Sequence, residues 1–150
     1  MFLGTHIVGV DAKGRASIPA AFRTALRGGA SLVYVWPSWR GPYLEAGDGE
    51  LLAQYQSVLA ARGAFDDARE DFEYAIFAEA RALSLDETGR VSLPEDLRAH
   101  AGLNGRAAFA GLTDRFEIWS PDRLEARVAE ARARAAERRA ILKRPPGEGL

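Results

Sequence analysis

Sixteen residues near the start of the chain, V-G-V-D-A-K-G-R-A-S-I-P-A-A-F-R (Val8 to Arg23), return without a gap as L-S-L-D-E-T-G-R-V-S-L-P-E-D-L-R (Leu83 to Arg98), at a constant offset of 75. The identities are Asp11/Asp86, Gly14/Gly89, Arg15/Arg90, Ser17/Ser92, Pro19/Pro94 and Arg23/Arg98. Apolar positions correspond as well, Val8 with Leu83, Val10 with Leu85, Ile18 with Leu93 and Phe22 with Leu97, so the match extends to the packing pattern. A repeat of this kind fixes the architecture before any single segment is read.

Each copy reads as strand, turn, strand, short helix, strand, strand and trailing helix. Within D-x-x-G-R, the aspartate can bond the backbone ahead of it, and the glycine can take the positive φ of a tight turn. The arginine then begins the return strand. Pro19 and Pro94 suit the first turn of a helix, and glycines beyond, Gly28-Gly29 or Gly102, suit its end. Ser17 and Ser92, just before the helix, are candidate caps.

A unit of about forty residues buries little core alone, so the two are expected to pack together as an intertwined pseudo-dimer. Between them, Leu51, Leu52, Tyr55, Val58 and Leu59, then Phe65, Phe72, Ala75 and Ile76, recur at near-helical spacing and predict two helices broken near Gly63. Pro121 to Lys143 predicts an exposed helix anchored by Leu124, Val128, Ile141 and Leu142, followed by a frayed tail at Pro145-Pro146-Gly147. The expected divisions are 1–50 and 81–125 for the two repeats, 51–80 for a helical linker, and 126–150 for a terminal helix and tail.

The net charge of −1 argues against a uniformly basic nucleic-acid binder, so distribution matters more than the total. Residues 1–40 carry Lys13, Arg15, Arg23, Arg27 and Arg40 against Asp11 alone, a local charge of +4. Residues 41–80 carry nine acids against Arg62 and Arg69, a local charge of −7. No apolar run reaches the length of a membrane span, and the first ten residues lack the features of a signal peptide; a cytoplasmic protein is expected.

The absence of cysteine excludes disulfides, thiolate nucleophiles and cysteine metal sites. His6 and His100 are the only histidines and show no ligand spacing, so no metal or cofactor is expected. Asp11 and Asp86 have a simple turn role and no catalytic partner at regular spacing. No nucleophile motif or phosphate-binding loop is present, and no catalytic residue is assigned.

The opening M-F-L-G-T-H, the two turn motifs D-A-K-G-R-A-S-I-P and D-E-T-G-R-V-S-L-P, and the later F-E-I-W resemble the MraZ family over about residues 1–125. The resemblance implies an α+β fold in which two tandem β-hairpin and helix repeats of the SpoVT-AbrB-like kind form an intertwined swapped-hairpin β-barrel with flanking helices. It implies a homo-oligomeric ring and a regulator, usually a repressor, of the division and cell-wall gene cluster. Such a regulator binds direct repeats in double-stranded DNA upstream of its own gene, is associated with the nucleoid, and needs no small-molecule ligand.

Carried onto this sequence, the turn-structuring residues are Asp11, Gly14, Asp86 and Gly89, and the DNA-binding candidates are Lys13, Arg15 and Arg90. Thr88 stands where the second copy would hold a lysine, and Glu87 lies beside Arg90, so the second turn is the weaker candidate. Arg15 and Arg90 have two available roles, pairing with their turn aspartates and contacting phosphate oxygens. The basic C-terminal residues, Arg127 to Arg144, either add nonspecific DNA affinity or form a solvated, ion-paired face. Trp36, Trp39, Trp119 and Tyr43 are expected in the core or at a subunit contact. The competing functional class is an oligomeric assembly protein that binds no DNA, with the acidic middle pairing to basic ends.

Overall fold

The computed structural model describes residues 1–143. The first unit runs β1 (Thr5–Gly9), β2 (Arg15–Ser17), α1 (Ala20–Ala25), β3 (Leu32–Pro37), β4 (Leu44–Gly47) and α2 (Gly49–Ala60). After the connecting helix α3 (Asp67–Phe72) and a wide helical turn, Glu73–Phe77, the second unit repeats the order. Its elements are β5 (Arg81–Ser84), β6 (Arg90–Ser92), α4 (Glu95–Ala101), β7 (Arg106–Gly111), β8 (Phe116–Trp119) and α5 (Pro121–Glu137). A short tight turn, Arg139–Lys143, follows. The expected tail at Pro145 to Gly147 lies outside the described residues.

The two units exchange strands. β1 pairs with β7 of the other unit, β5 pairs with β3, and the order β1-β7-β8-β4-β3-β5 forms one six-stranded antiparallel sheet. At its middle β4 meets β8, so the sheet reads the same from either end when one unit is exchanged for the other. The three-residue strands β2 and β6 pair only with each other. The strands therefore form an open sheet and a separate ladder, not the closed barrel expected. β1 and β5 remain edges, because β2 joins β1 only through the isolated bridge Val10↔Ala16.

Alternation of side chains explains the layers. Val33, Val35, Ala107, Phe109, Phe116 and Ile118 face inward and meet Ala16 and Val91 of the ladder, with Phe22 of α1 and Leu97 of α4. Phe2, Phe22 and Phe116 form an aromatic centre with ring centroids 5.1 to 5.5 Å apart. The opposite face of the sheet carries Trp36 under Leu51 and Ile76, and Trp119 stacked on Tyr43 at 4.1 Å beside Leu124.

Several sequence expectations are corrected here. Ser17 and Ser92 lie exposed in β2 and β6 and cap no helix, because the residue before each helix is Pro19 or Pro94, which has no capping side chain. Val58 and Phe65, counted on the apolar face of the linker, are 69% and 99% exposed. Ile141 and Leu142 anchor nothing among the described residues, since α5 ends at Glu137 and both side chains project into solvent. Trp39 is also exposed, resting against Phe72 of α3. Among the described residues, no helix is long and apolar enough to cross a membrane.

Candidate nucleic-acid interface

The first turn is built around Asp11. Its Oδ1 accepts the backbone N–H groups of Lys13 and Arg15 at 3.0 and 2.9 Å, and its Oδ2 accepts Nε of Arg15 at 2.6 Å. The backbone of Gly14 closes the turn by donating to the carbonyl of Asp11 at 2.9 Å. Asp86 repeats this pattern, accepting from the backbone of Thr88 and Arg90, both at 2.9 Å, and from Nε of Arg90 at 3.0 Å. Thr88 adds a hydroxyl bond to Asp86 at 2.8 Å, whereas Lys13 keeps its ammonium at the exposed tip.

These donors hold both carboxyls below the usual carboxylate range, led by the backbone N–H of Arg15 at Asp11 and of Arg90 at Asp86. Both turns therefore carry a fixed negative charge at neutral pH, and each arginine is oriented by it. Only Nε is engaged. The terminal amino groups of Arg15 and Arg90 make no hydrogen bond among the described residues, and both side chains are 40% exposed.

Pairing of β2 with β6 brings the two arginines to one surface. Arg15 lies opposite Ser92 and Ser17 opposite Arg90, so these four side chains share one face of the ladder, while Ala16 and Val91 point into the core. Arg15 and Arg90 are diagonal neighbours on that face, roughly 7–8 Å apart along the backbone framework.

Two further arginines were missed as site residues, although both are identical in the repeat. Nε of Arg98 on α4 donates to the carbonyl of Leu93 at 2.9 Å, and its guanidinium packs over Gly14 of the other unit's turn. Arg23 on α1 donates to Ile18 and covers Gly89. Each turn is thus held by its partner unit, also through the backbone bonds Leu93 N–H to Gly14 and Ile18 N–H to Gly89, at 2.8 and 2.9 Å. The sequence signal was there: an arginine recurring nine residues after the turn glycine in both copies.

Residues 11–23 carry Lys13, Arg15 and Arg23 against Asp11, a local charge of +2, whereas residues 86–98 carry Arg90 and Arg98 against four acids, a local charge of −2. The first tip is the more cationic because Lys13 faces Thr88 across the symmetry and Glu87 has no counterpart there, Ala12 being neutral. Such a face suits an extended polyanion, with guanidinium donors pre-aimed and small hydroxyls between them.

The histidines take packing roles: His6 sets its ring edge-on to Phe22 at 5.2 Å, and His100 contacts the carbonyl of Gly41 at 2.9 Å. Among the described residues no cluster of His, Asp and Glu is placed to hold a metal ion.

Residues 76–144 match the family model described as "MraZ protein, putative antitoxin-like". A transcriptional regulator MraZ of Xanthobacter autotrophicus is 40% identical over 142 residues, covering 94% of this chain and 90% of its own. The transcriptional regulator MraZ of Gluconacetobacter diazotrophicus is 43% identical over 139 residues, covering 90% of this chain and 88% of its own. That of Hyphomonas neptunium is 45% identical over 124 residues, with 82% and 74% covered.

Proposed function

The chain belongs to the MraZ family, and on that premise we propose that it is a sequence-specific DNA-binding transcriptional regulator, a repressor of the division and cell-wall gene cluster that includes its own gene. The observation that carries this reading is the exposed ladder face, where Arg15 and Arg90 stand together with their terminal amino groups free of partners among the described residues. Lys13 extends that face at the first tip. The relatives are named transcriptional regulators, which supports the same direction.

In this reading Asp11 and Asp86 shape the turns and orient the arginines, Gly14 and Gly89 admit the bracing guanidinium groups, and Lys13, Arg15 and Arg90 contact DNA. Contacts to phosphate position the protein, and base contacts near the first tip supply sequence preference. One chain neutralises few phosphates, so its affinity at cellular salt is weak. A homo-oligomeric ring that presents several tips to direct repeats gains affinity through effective concentration, and the spacing of the repeats becomes a geometric filter.

The exchange of strands between units supports reading residues 1–50 and 81–125 as two AbrB-like repeats that swap strands, with 51–80 as the linker and 126–150 as the terminal segment. The protein then works in the cytoplasm at the nucleoid. Footprinting on DNA from upstream of its own gene tests the function. Protection of regularly spaced direct repeats is expected; protection no better than on random DNA at low salt overturns it.

A further inference from the structure

Phe65 is 99% exposed, yet its loop is firmly built. Arg62 donates through Nε and Nη2 to Asp66 at 2.9 and 3.2 Å, Asp66 closes back on the carbonyl of Gly63 at 3.0 Å, and Arg69 donates to the carbonyl of Arg62 at 3.2 Å. The bonds on both sides of Phe65 hold it away from the body of its own chain. A loop whose backbone is already ordered has lost part of the freedom that docking would cost it.

A matching cavity lies on the outer face of the second unit. In the first unit that face carries Tyr34 and Trp36, which are covered by Ile76 and Phe77 of the wide turn. At the corresponding places β7 carries Ala108 and Ala110, which pack with Tyr43, Trp119 and Leu124, the one buried residue of α5. The small side chains leave a cleft of about 360 Å³ walled by Ala110, Leu124 and Val128 and rimmed by Arg40, Arg115 and Arg127. Arg40 and Arg127 form no ion pair among the described residues.

Charge matches shape. Residues 66–73, immediately after Phe65, hold five acids against Arg69, a local charge of −4, and the cleft rim is cationic apart from Glu117. We propose that Phe65 of one copy inserts into this cleft on a second copy, with the acidic start of α3 against Arg40 and Arg127. Knob and cleft lie in different parts of the chain, so we take the contact as head to tail, and its repetition closes a ring or extends a filament; a two-fold pair making it twice would stop at a dimer. This rests on the oligomeric part of the reading above and assigns its contact.

The chain has no cysteine, which makes cross-linking clean. The full-length double variant Phe65→Cys, Val128→Cys is expected to give a ladder of disulfide-linked multimers under mild oxidation, and neither single variant is expected to cross-link. In sedimentation velocity, Phe65→Ser and Arg127→Glu are each expected to raise the dissociation constant at least about tenfold with unchanged circular dichroism. Adding Asp67→Arg to Arg127→Glu is expected to recover part of it. A wild-type chain that is monomeric at every concentration overturns the oligomer reading together with this contact. Wild-type oligomers that survive both single substitutions, or cross-linking of Phe65→Cys alone, overturn the contact and leave the oligomer reading standing.

Discussion

Arg98 lies across Gly14: a β-carbon built on Gly14 would sit 2.7 Å from Nε of Arg98 and 2.5 Å from the carbonyl oxygen of Leu93. Gly89 stands in the same relation to Arg23, at 2.6 Å from its Nη1. With φ of +84° and +81°, both glycines also occupy backbone space that other residues enter at a cost. Turn, arginine and partner helix therefore form one unit, made twice.

Gly14→Ala is expected to destabilise the fold by about 2–4 kcal/mol, since strain at positive φ adds to a collision with backbone that cannot move aside. Gly63→Ala is the control, with nothing within 4 Å of its β-carbon and no positive φ. Urea denaturation compares the two. A loss below about 0.5 kcal/mol at Gly14 contradicts the packing described.

The sequence made the repeat, the order of elements and the two aspartate turns legible, because a fixed offset and a D-x-x-G-R pattern are local signals. Which strand pairs with which was not legible in detail: β1 with β7 and β5 with β3 follow from burying Val8 and Leu83 beside the other unit's apolar strand, a long-range choice. Phe65 and Val58 were misread because helical spacing says nothing of which apolar residues lack a neighbour. Arg23 and Arg98 were counted as evidence for the repeat and not as supports of the site, since their contacts are made across units.

Asp48 ties the first unit's loop to α2. Its side chain, 2% exposed, accepts the N–H of Leu51 at 3.0 Å and three bonds from Arg27 at 2.9 to 3.1 Å. Asp48→Ala removes a helix cap and leaves the buried N–H of Leu51 unmatched, so a loss of about 1–3 kcal/mol is expected. Thermal or urea unfolding measures it, and a neutral result contradicts the assigned role.

Acid stability follows from two opposite effects. The folded-state pKa of Asp11 and Asp86 is depressed by the turn N–H donors, so their stabilisation is complete above about pH 4 and is lost as pH falls through the folded value. Glu45, directly across from Glu117 in the sheet, is raised, first by burial and then by that neighbour. Its ionisation costs stability as pH rises above about 4. Calorimetry from about pH 2 to 8, which reaches below the ordinary carboxylate range, is expected to show a shallower acid limb for Asp86→Asn. Glu45→Gln is expected to raise Tm more at neutral pH than near pH 4. The reverse order for Glu45→Gln contradicts the assignment.

The most direct measurement is fluorescence anisotropy on DNA carrying the upstream direct repeats, with wild type, Arg15→Ala and Arg90→Ala followed across a salt series. Expected are tight, repeat-dependent binding that falls steeply with salt, a loss of about tenfold or more in Arg15→Ala with a shallower salt slope, and a smaller loss in Arg90→Ala. Arg15→Ala that folds as wild type and binds repeat DNA with unchanged affinity and slope would contradict a regulator acting through its ladder face.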